Sequence, residues 1–477
     1  MPGCQGVKVE AGVSPALCRN CKSQDKPGNL PRFAPQSTFS ELGGGLDDTI
    51  TNITQPITEL GYFFSEVIMK KSIPILCVLL LLVVSACQAA PSVSPQPTTA
   101  IASSGGIATP EANPKLPITI RYAKGFTLEY KGNYKILTVT QPWAGAEKAF
   151  TYVLIPRGAE TPAGLGNAQV IEVPVRSFVA MSTTYYPFLE NIGKLDALVA
   201  VDDATYIYNP SVREKAASGE IAIVGGGMGG PSANIERLLE LDPDVIMTSA
   251  SGIPELDVYP KLQEVGLPVV INGDYLEQTP LGRAEWGIFI AAFFDLEQQA
   301  SQQFDALVQR YEEARALTAN VQERVTVFTN TDYQGTWYVP AGESYAAILL
   351  KDAGAEYLWE DEPGSGALPL SFETVFERAK DADFWLNPGF AASLQDLLAM
   401  DARYAEFKAF QAGQVFNYNA RVTEAGGMDY FESGVANPDV ILKDLIKIFY
   451  PELLPEHTLF YYQQLKEAGF YAKKCSN

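Results

Sequence analysis

The residues able to do covalent or metal chemistry are few and poorly placed for it. The chain of 477 residues carries one histidine, His457, and six cysteines. A lone histidine near the C-terminus excludes a His-rich metal site, a Ser-His-Asp triad and a Cys-His nucleophile pair. Cys4, Cys18, Cys21, Cys77 and Cys87 all precede residue 90, which leaves Cys475 alone in the region expected to fold. No intrachain disulfide framework is therefore expected there. Cys18 and Cys21 have zinc or redox spacing, but no second pair follows, and they are read as no site. The run Gly225-Gly226-Gly227-Met228-Gly229-Gly230 lacks the Lys and Ser/Thr of a phosphate loop and the spacing of a dinucleotide fingerprint. It reads as a loop that lets backbone approach a ligand, or as a flexible turn. No metal ligands and no resident cofactor are expected.

What remains is the chemistry of recognition. Aromatic and uncharged polar residues gather in short stretches: Thr184, Tyr185 and Tyr186; Tyr206 and Tyr208; Met228; Ser251; and Tyr275. A second group holds Tyr333, Trp337 and Tyr338, then Asp429, Tyr430 and Phe431. Such a set suits a large flat apolar face whose polar fringe needs hydrogen-bond partners. The same stretches carry almost no Lys or Arg, which argues against strongly anionic groups. Taken one at a time, each ring is explained as well by core or interlobe packing.

These residues fall where loops are expected. From about residue 169, short apolar strands alternate with amphipathic helices: strands at 173–181, 198–201, 221–224, 245–249 and 267–271, and helices at 187–193 and 234–240. Such alternation predicts a mostly parallel sheet with ligand loops at the strands' C-terminal ends. Residues 282–319 have helical spacing with few breakers and predict one long helix. A second alternating set runs from Arg324, with helices at 345–353 and 372–380, strands at 384–386 and 415–417, and a last helix from Pro438. The expected fold is therefore α/β: two Rossmann-like lobes, 169–281 and 320–477, joined by an interlobe helix over 282–319. Before them, residues 116–168 alternate apolar and polar residues around Lys131-Gly132-Asn133, as expected of a small β meander packed on a sheet edge.

Export is written upstream of the folded part. Met69-Lys70-Lys71 opens a basic segment, residues 73–84 are apolar but short for a membrane span, and Val84-Ser85-Ala86-Cys87 resembles a lipoprotein cleavage box. Residues 69–86 are thus expected to be a signal peptide, with Cys87 the lipid anchor on the outer face of the cell membrane. Residues 87–115, rich in Pro, Ser, Thr, Ala and Gly, would be a flexible tether. The net charge of −21 excludes nucleic-acid binding through phosphates and fits a solvated acidic surface.

From Val173 to Tyr450 the chain resembles the periplasmic binding proteins that serve cobalamin, haem and ferric-siderophore ABC importers. The resemblance rests on the run Leu239 to Ile246, on Gly282-Arg283-Ala284-Glu285-Trp286, and on Gly426 to Phe431 followed by Gly434, Pro438-Asp439 and Leu442. It implies a stiff pair of lobes that acts as a monomer and hands a ligand to a permease and its ATPase. It also implies one docking glutamate per lobe, at positions matched here by Glu236 and Glu373. Each carboxylate, in the first turn of a helix, would also serve to offset the helix dipole or form part of a capping box, a reading that fits Glu373 better than Glu236. A corrinoid is the expected ligand, with a ferric siderophore or haem as the alternative. Chelatase-like or nitrogenase-like enzymes share the architecture but place His or Cys clusters in it, so no enzymatic activity is expected.

Residues 1–68 lack helical or strand periodicity and stand before the signal, and translation is expected to start at Met69. Residues 12–22 and 26–31 can be encoded by the core boxes of a cobalamin riboswitch, and 65–67 by a ribosome-binding sequence. On that reading the segment is translated leader RNA, which also favours a corrinoid.

Overall fold

The computed structural model describes residues 117–226 and 232–467. The signal peptide, Cys87, Met228 and Cys475 lie outside the described residues. The first sheet comprises β1 (Phe126–Lys131), β2 (Tyr134–Val139), β3 (Phe150–Pro156) and β4 (Gln169–Val173) in that order. β1–β2 and β2–β3 are antiparallel, whereas β3–β4 is parallel. The Gly132-Asn133 turn forms as expected, with Gly132 at φ +61°, a conformation open to glycine at little cost.

The expected strand over 173–181 is two strands in two sheets. Pro174 has no amide to continue the ladder, so β4 ends at Val173. β5 (Phe178–Ala180) then enters the N-lobe. The lobe continues with α1 (Tyr186–Asn191), β6 (Leu198–Val201), α2 (Pro210–Ser218), β7 (Ala222–Ile223), α3 (Ile235–Leu241), β8 (Val245–Thr248), α4 (Tyr259–Glu264) and β9 (Val269–Ile271). Its sheet is fully parallel, in the order β7-β6-β5-β8-β9.

The connector is two helices, α5 (Pro280–Ala292) and α6 (Glu297–Leu317), not one. The break comes from a partner distant in sequence. Lys135 on β2 is buried, donates to the Ala292 carbonyl at 2.9 Å, and pairs with Asp295 at 2.7 Å and buried Glu297 at 3.1 Å. Asp295 takes a left-handed φ of +60°, which ends α5.

The C-lobe runs through β10 (Thr326–Thr329), β11 (Asp332–Tyr333), β12 (Thr336–Pro340), α7 (Tyr345–Asp352), β13 (Glu356–Tyr357), β14 (Ala367–Leu370), α8 (Phe372–Ala379) and β15 (Phe384–Leu386). It ends with α9 (Leu394–Met400), α10 (Lys408–Gln411), β16 (Val415–Asn417), α11 (Asp429–Glu432), α12 (Pro438–Phe449) and β17 (Gln463–Gln464). The main sheet has the order β13-β10-β15-β16-β17, with only β17 antiparallel, and β11-β12-β14 form a separate antiparallel sheet. One continuous apolar core joins the first sheet, both lobes and the connector, from Phe126 through Phe178 and Phe289 to Val327 and Leu442.

Two buried carboxylates on the connector side hold the segment that leads into β1. Glu285 accepts from the amides of Arg121, Tyr122 and Ala123, and Glu277 from those of Lys124 and Gly125 and from the Trp286 indole. Each carboxylate thus meets several donors, as a buried charge requires.

Candidate functional site

Parallel strands aim their C-terminal loops at one end of a sheet, and here the two lobes meet through those ends. The loop after β6 reaches the C-lobe. Glu432 on α11 accepts from the Tyr208 amide at 2.8 Å and the Asn209 amide at 2.7 Å. The Arg421 guanidinium lies between two rings, 5.1 Å from Tyr208 and 4.2 Å from Phe460, and pairs with buried Asp429 at 2.6 Å. Gly427 passes so near the Tyr206 carbonyl that a Cβ there would stand 2.5 Å from its oxygen. On the β9 side, Arg283 lies over the Tyr345 ring of the C-lobe at 5.6 Å, with buried Asp274 3.6 Å away.

The Glu432 and Arg421 contacts border an open cavity of about 380 Å³, lined on one side by Glu190, Tyr208 and Asn209, and on the other by Arg421, Asp429, Glu432, Asn437 and Tyr461. Its electrostatics are set by burial. The Glu432 carboxyl is pushed up to about 7 by burial, helped by repulsion from Asp429 and Glu190, while the two amides pull it down. Burial likewise raises the Tyr185 and Tyr186 hydroxyls, the first beside Asp274 and the second beside Glu432 and Asp202.

The candidate ligand residues divide by location. Tyr206 and Tyr208 are partly exposed at the lobe junction, and Tyr208 and Asp429 line the cavity. Tyr430 stacks on Tyr418 at 4.7 Å, with Phe431 edge-on and exposed. Ser251 and Tyr275 belong to neighbouring loops, joined by the Tyr275 hydroxyl donating to the Ala250 carbonyl at 2.7 Å. Thr184, Tyr185 and Tyr186 are buried beneath the loops rather than at the rim. Tyr333 and Tyr338 lie on the small β11-β12-β14 sheet. Trp337 is a correction: it is fully buried, donates to the Thr329 carbonyl, and packs against Phe328, Trp385, Tyr404 and Phe407. Its position on β12 alternates inward, so it fills the core instead of facing a ligand.

Sequence reasoning missed Tyr418, Arg421, Glu432 and Phe460. The first two follow β16, and the strand-end rule applied to that strand would have named them. Glu432 stands one residue beyond the quoted Asp429-Tyr430-Phe431 run, but its partners are more than two hundred residues away and leave no local signal.

Glu236 and Glu373 are both exposed in first turns, on α3 and α8. Asn234 and Ser371 cap those helices, receiving the amides of Arg237 and Thr374. Each glutamate therefore stands one position too early to close a capping box. Glu373 pairs with Arg403 at 3.3 Å.

A sequence profile described as periplasmic binding protein matches residues 179–422, just over half of the chain. The chain belongs to this family. Two uncharacterised lipoproteins of Methanocaldococcus jannaschii are 28% identical over 421 residues (80% of this chain, 94% of the relative) and 25% identical over 370 residues (75% and 89%). Among solved structures, a periplasmic vitamin B12 binding protein of Vibrio cholerae is similar at 17% identity, covering 58% of this chain and 97% of that one, with a TM-score of 0.40. A periplasmic heme binding protein of Pseudomonas aeruginosa is similar at 19% identity, covering 58% and 94%, with a TM-score of 0.43. The β1–β4 sheet lies ahead of the span that the profile matches. Among the described residues, no cluster of three His, Cys, Asp or Glu side chains could hold a metal ion, and no helix is long and apolar enough to cross a membrane.

Proposed function

We propose that this periplasmic binding protein captures a corrinoid of the cobalamin type between its lobes and delivers it to an ABC importer. The observation that carries the reading is the character of the junction: rings, amides and carboxylates, with each of its arginines set beside a carboxylate, Arg421 by Asp429 at 2.6 Å and Arg283 by Asp274 at 3.6 Å. A guanidinium so matched has little charge to offer an anionic siderophore, whereas hydrogen-bonding atoms at the rim remain useful to amides. The cavity stands at the low end of small-molecule pockets and is smaller than a corrinoid ring. The ligand would therefore lie along the open rim, with one edge in the cavity. Cys87 would hold the protein to the outer face of the membrane by a lipid, and Glu236 and Glu373 would meet the permease.

The test is calorimetric titration of the protein with cyanocobalamin, haemin and a ferric hydroxamate. Saturable one-to-one binding of cyanocobalamin alone supports the corrinoid. Preference for haemin or the ferric chelate would keep the transport role and overturn the ligand.

A further inference from the structure

The sheet β1–β4 does two things to the N-lobe, and only one of them is to cover an edge. Strand β9 ends its sheet. The Tyr152 hydroxyl from β3 meets it, accepting from the Ile271 amide at 2.8 Å, which satisfies an otherwise open edge donor. The turn between β2 and β3 goes further and crosses to the end of the sheet where the cleft loops emerge. There the Gln141 carbonyl oxygen approaches Gly273, where a Cβ would stand 2.7 Å from it. The Trp143 indole lies over Gly252, where a Cβ would come within 2.5 Å of the ring. Tyr259 stacks on the same indole at 6.0 Å, and Phe150 meets it edge-on at 5.9 Å.

Gly252 follows Ser251 in the loop after β8. That loop is tied at its base by Asp257, which accepts from the Ser251 amide at 2.7 Å, the Ser251 hydroxyl at 2.8 Å and the Gly252 amide at 2.9 Å. Gly252 has a φ of +78°, and a residue without a Cβ by itself leaves the loop a wide choice of paths. The indole packed against it removes that choice. Resting on the reading of the cleft as the ligand site, we infer that Trp143 is a positioning residue for the cleft: through Gly252 it fixes the loop that carries Ser251. The N-terminal sheet is then part of the binding apparatus and not only an edge cover. A loop ordered in advance spares the ligand the entropy of ordering it, so loss of the indole weakens binding without removing any ligand contact.

The test uses the full chain with Trp143→Ala, Trp143→Phe and Gly252→Ala, the last both crowding the ring and straining a backbone held at φ +78°. Amide hydrogen exchange of residues 249–257 is measured first, without ligand. Exchange should quicken about tenfold in W143A and G252A, stay near wild type in W143F, and be unchanged across β5 and β8. Unchanged loop exchange in W143A overturns the inference, whatever the ligand proves to be. The same proteins are then titrated with cyanocobalamin, haemin and a ferric hydroxamate. For any probe that wild type binds, affinity should fall about tenfold in W143A and recover to within about threefold in W143F. A probe bound equally well by W143A despite a loosened loop also overturns it. If wild type binds none of the probes, the corrinoid reading and its alternatives fail, and the exchange result alone decides whether Trp143 positions the loop.

Discussion

Glu432 joins the lobes with one side chain, and its environment gives that link a pH dependence. Burial raises its carboxyl from the ordinary 4.5 to about 7. Between those values the folded chain holds a proton there that the unfolded chain has released. Its contribution to stability is therefore complete below about 4.5 and lost as pH rises through about 7. The raised carboxyls of Asp274 and Asp352 act in the same direction. Asp383 and Asp401, held low by Lys408 and Arg403 among other partners, act oppositely and only at more acid pH. Urea midpoints should fall between pH 5 and pH 8, with Glu432 contributing at most about 3 kcal/mol. Glu432→Gln should flatten most of that slope, and a variant with the wild-type slope would show that another group sets it.

At the scale of elements, one carboxylate gathers several of the bonds that hold the segment after α12. Asp444 is fully buried and accepts from the amides of Phe460, Tyr461 and Tyr462 at 2.7–3.1 Å, with His457 Nε2 2.7 Å away. That arrangement places Phe460 beneath Arg421 and Tyr461 in the cavity wall, so a structural carboxylate shapes the candidate site from outside it. Asp444→Asn keeps the size but turns an amide group toward donors that need an acceptor. It should cost about 2–4 kcal/mol in thermal or urea unfolding and speed proteolytic cleavage within residues 451–467. Wild-type cleavage rates in that variant would show the segment is held by its rings instead. Elements of this kind were the least legible in the sequence. The strands 198–201, 245–249, 384–386 and 415–417 and the helices 345–353 and 372–380 announce themselves by period and are present within a residue or so. The β11-β12-β14 sheet and β17 do not, because their strands are short and the β12–β14 and β16–β17 pairings join segments distant in sequence.

At the scale of the whole molecule, the first sheet, the connector and both lobes share one apolar core. Helix α6 adds an ion pair from Arg310 to buried Asp439 on α12, at 2.8 Å. Lobes that share a core lose it together. Calorimetry of the chain should therefore show a single unfolding transition, and two resolved transitions would mean that the connector does not couple the lobes. The Glu432 contact works in the same sense, since separating the lobes would strip two amides of their acceptor.

The alternation of apolar strands with amphipathic helices determined by itself that this chain builds two α/β lobes, because each period commits a face to burial wherever the segment ends up. Cysteine and histidine usage and the net charge likewise narrowed the chemistry to be expected without any structure. Tertiary structure alone decided where the connector breaks, since Lys135, more than a hundred and fifty residues upstream, supplies the cation that ends α5. It alone decided that Trp337 belongs to the core while Trp143 lies over Gly252 in the loop after β8. A ring's residue type states that it will seek apolar contact; which surface it finds depends on which distant segments the fold brings to it.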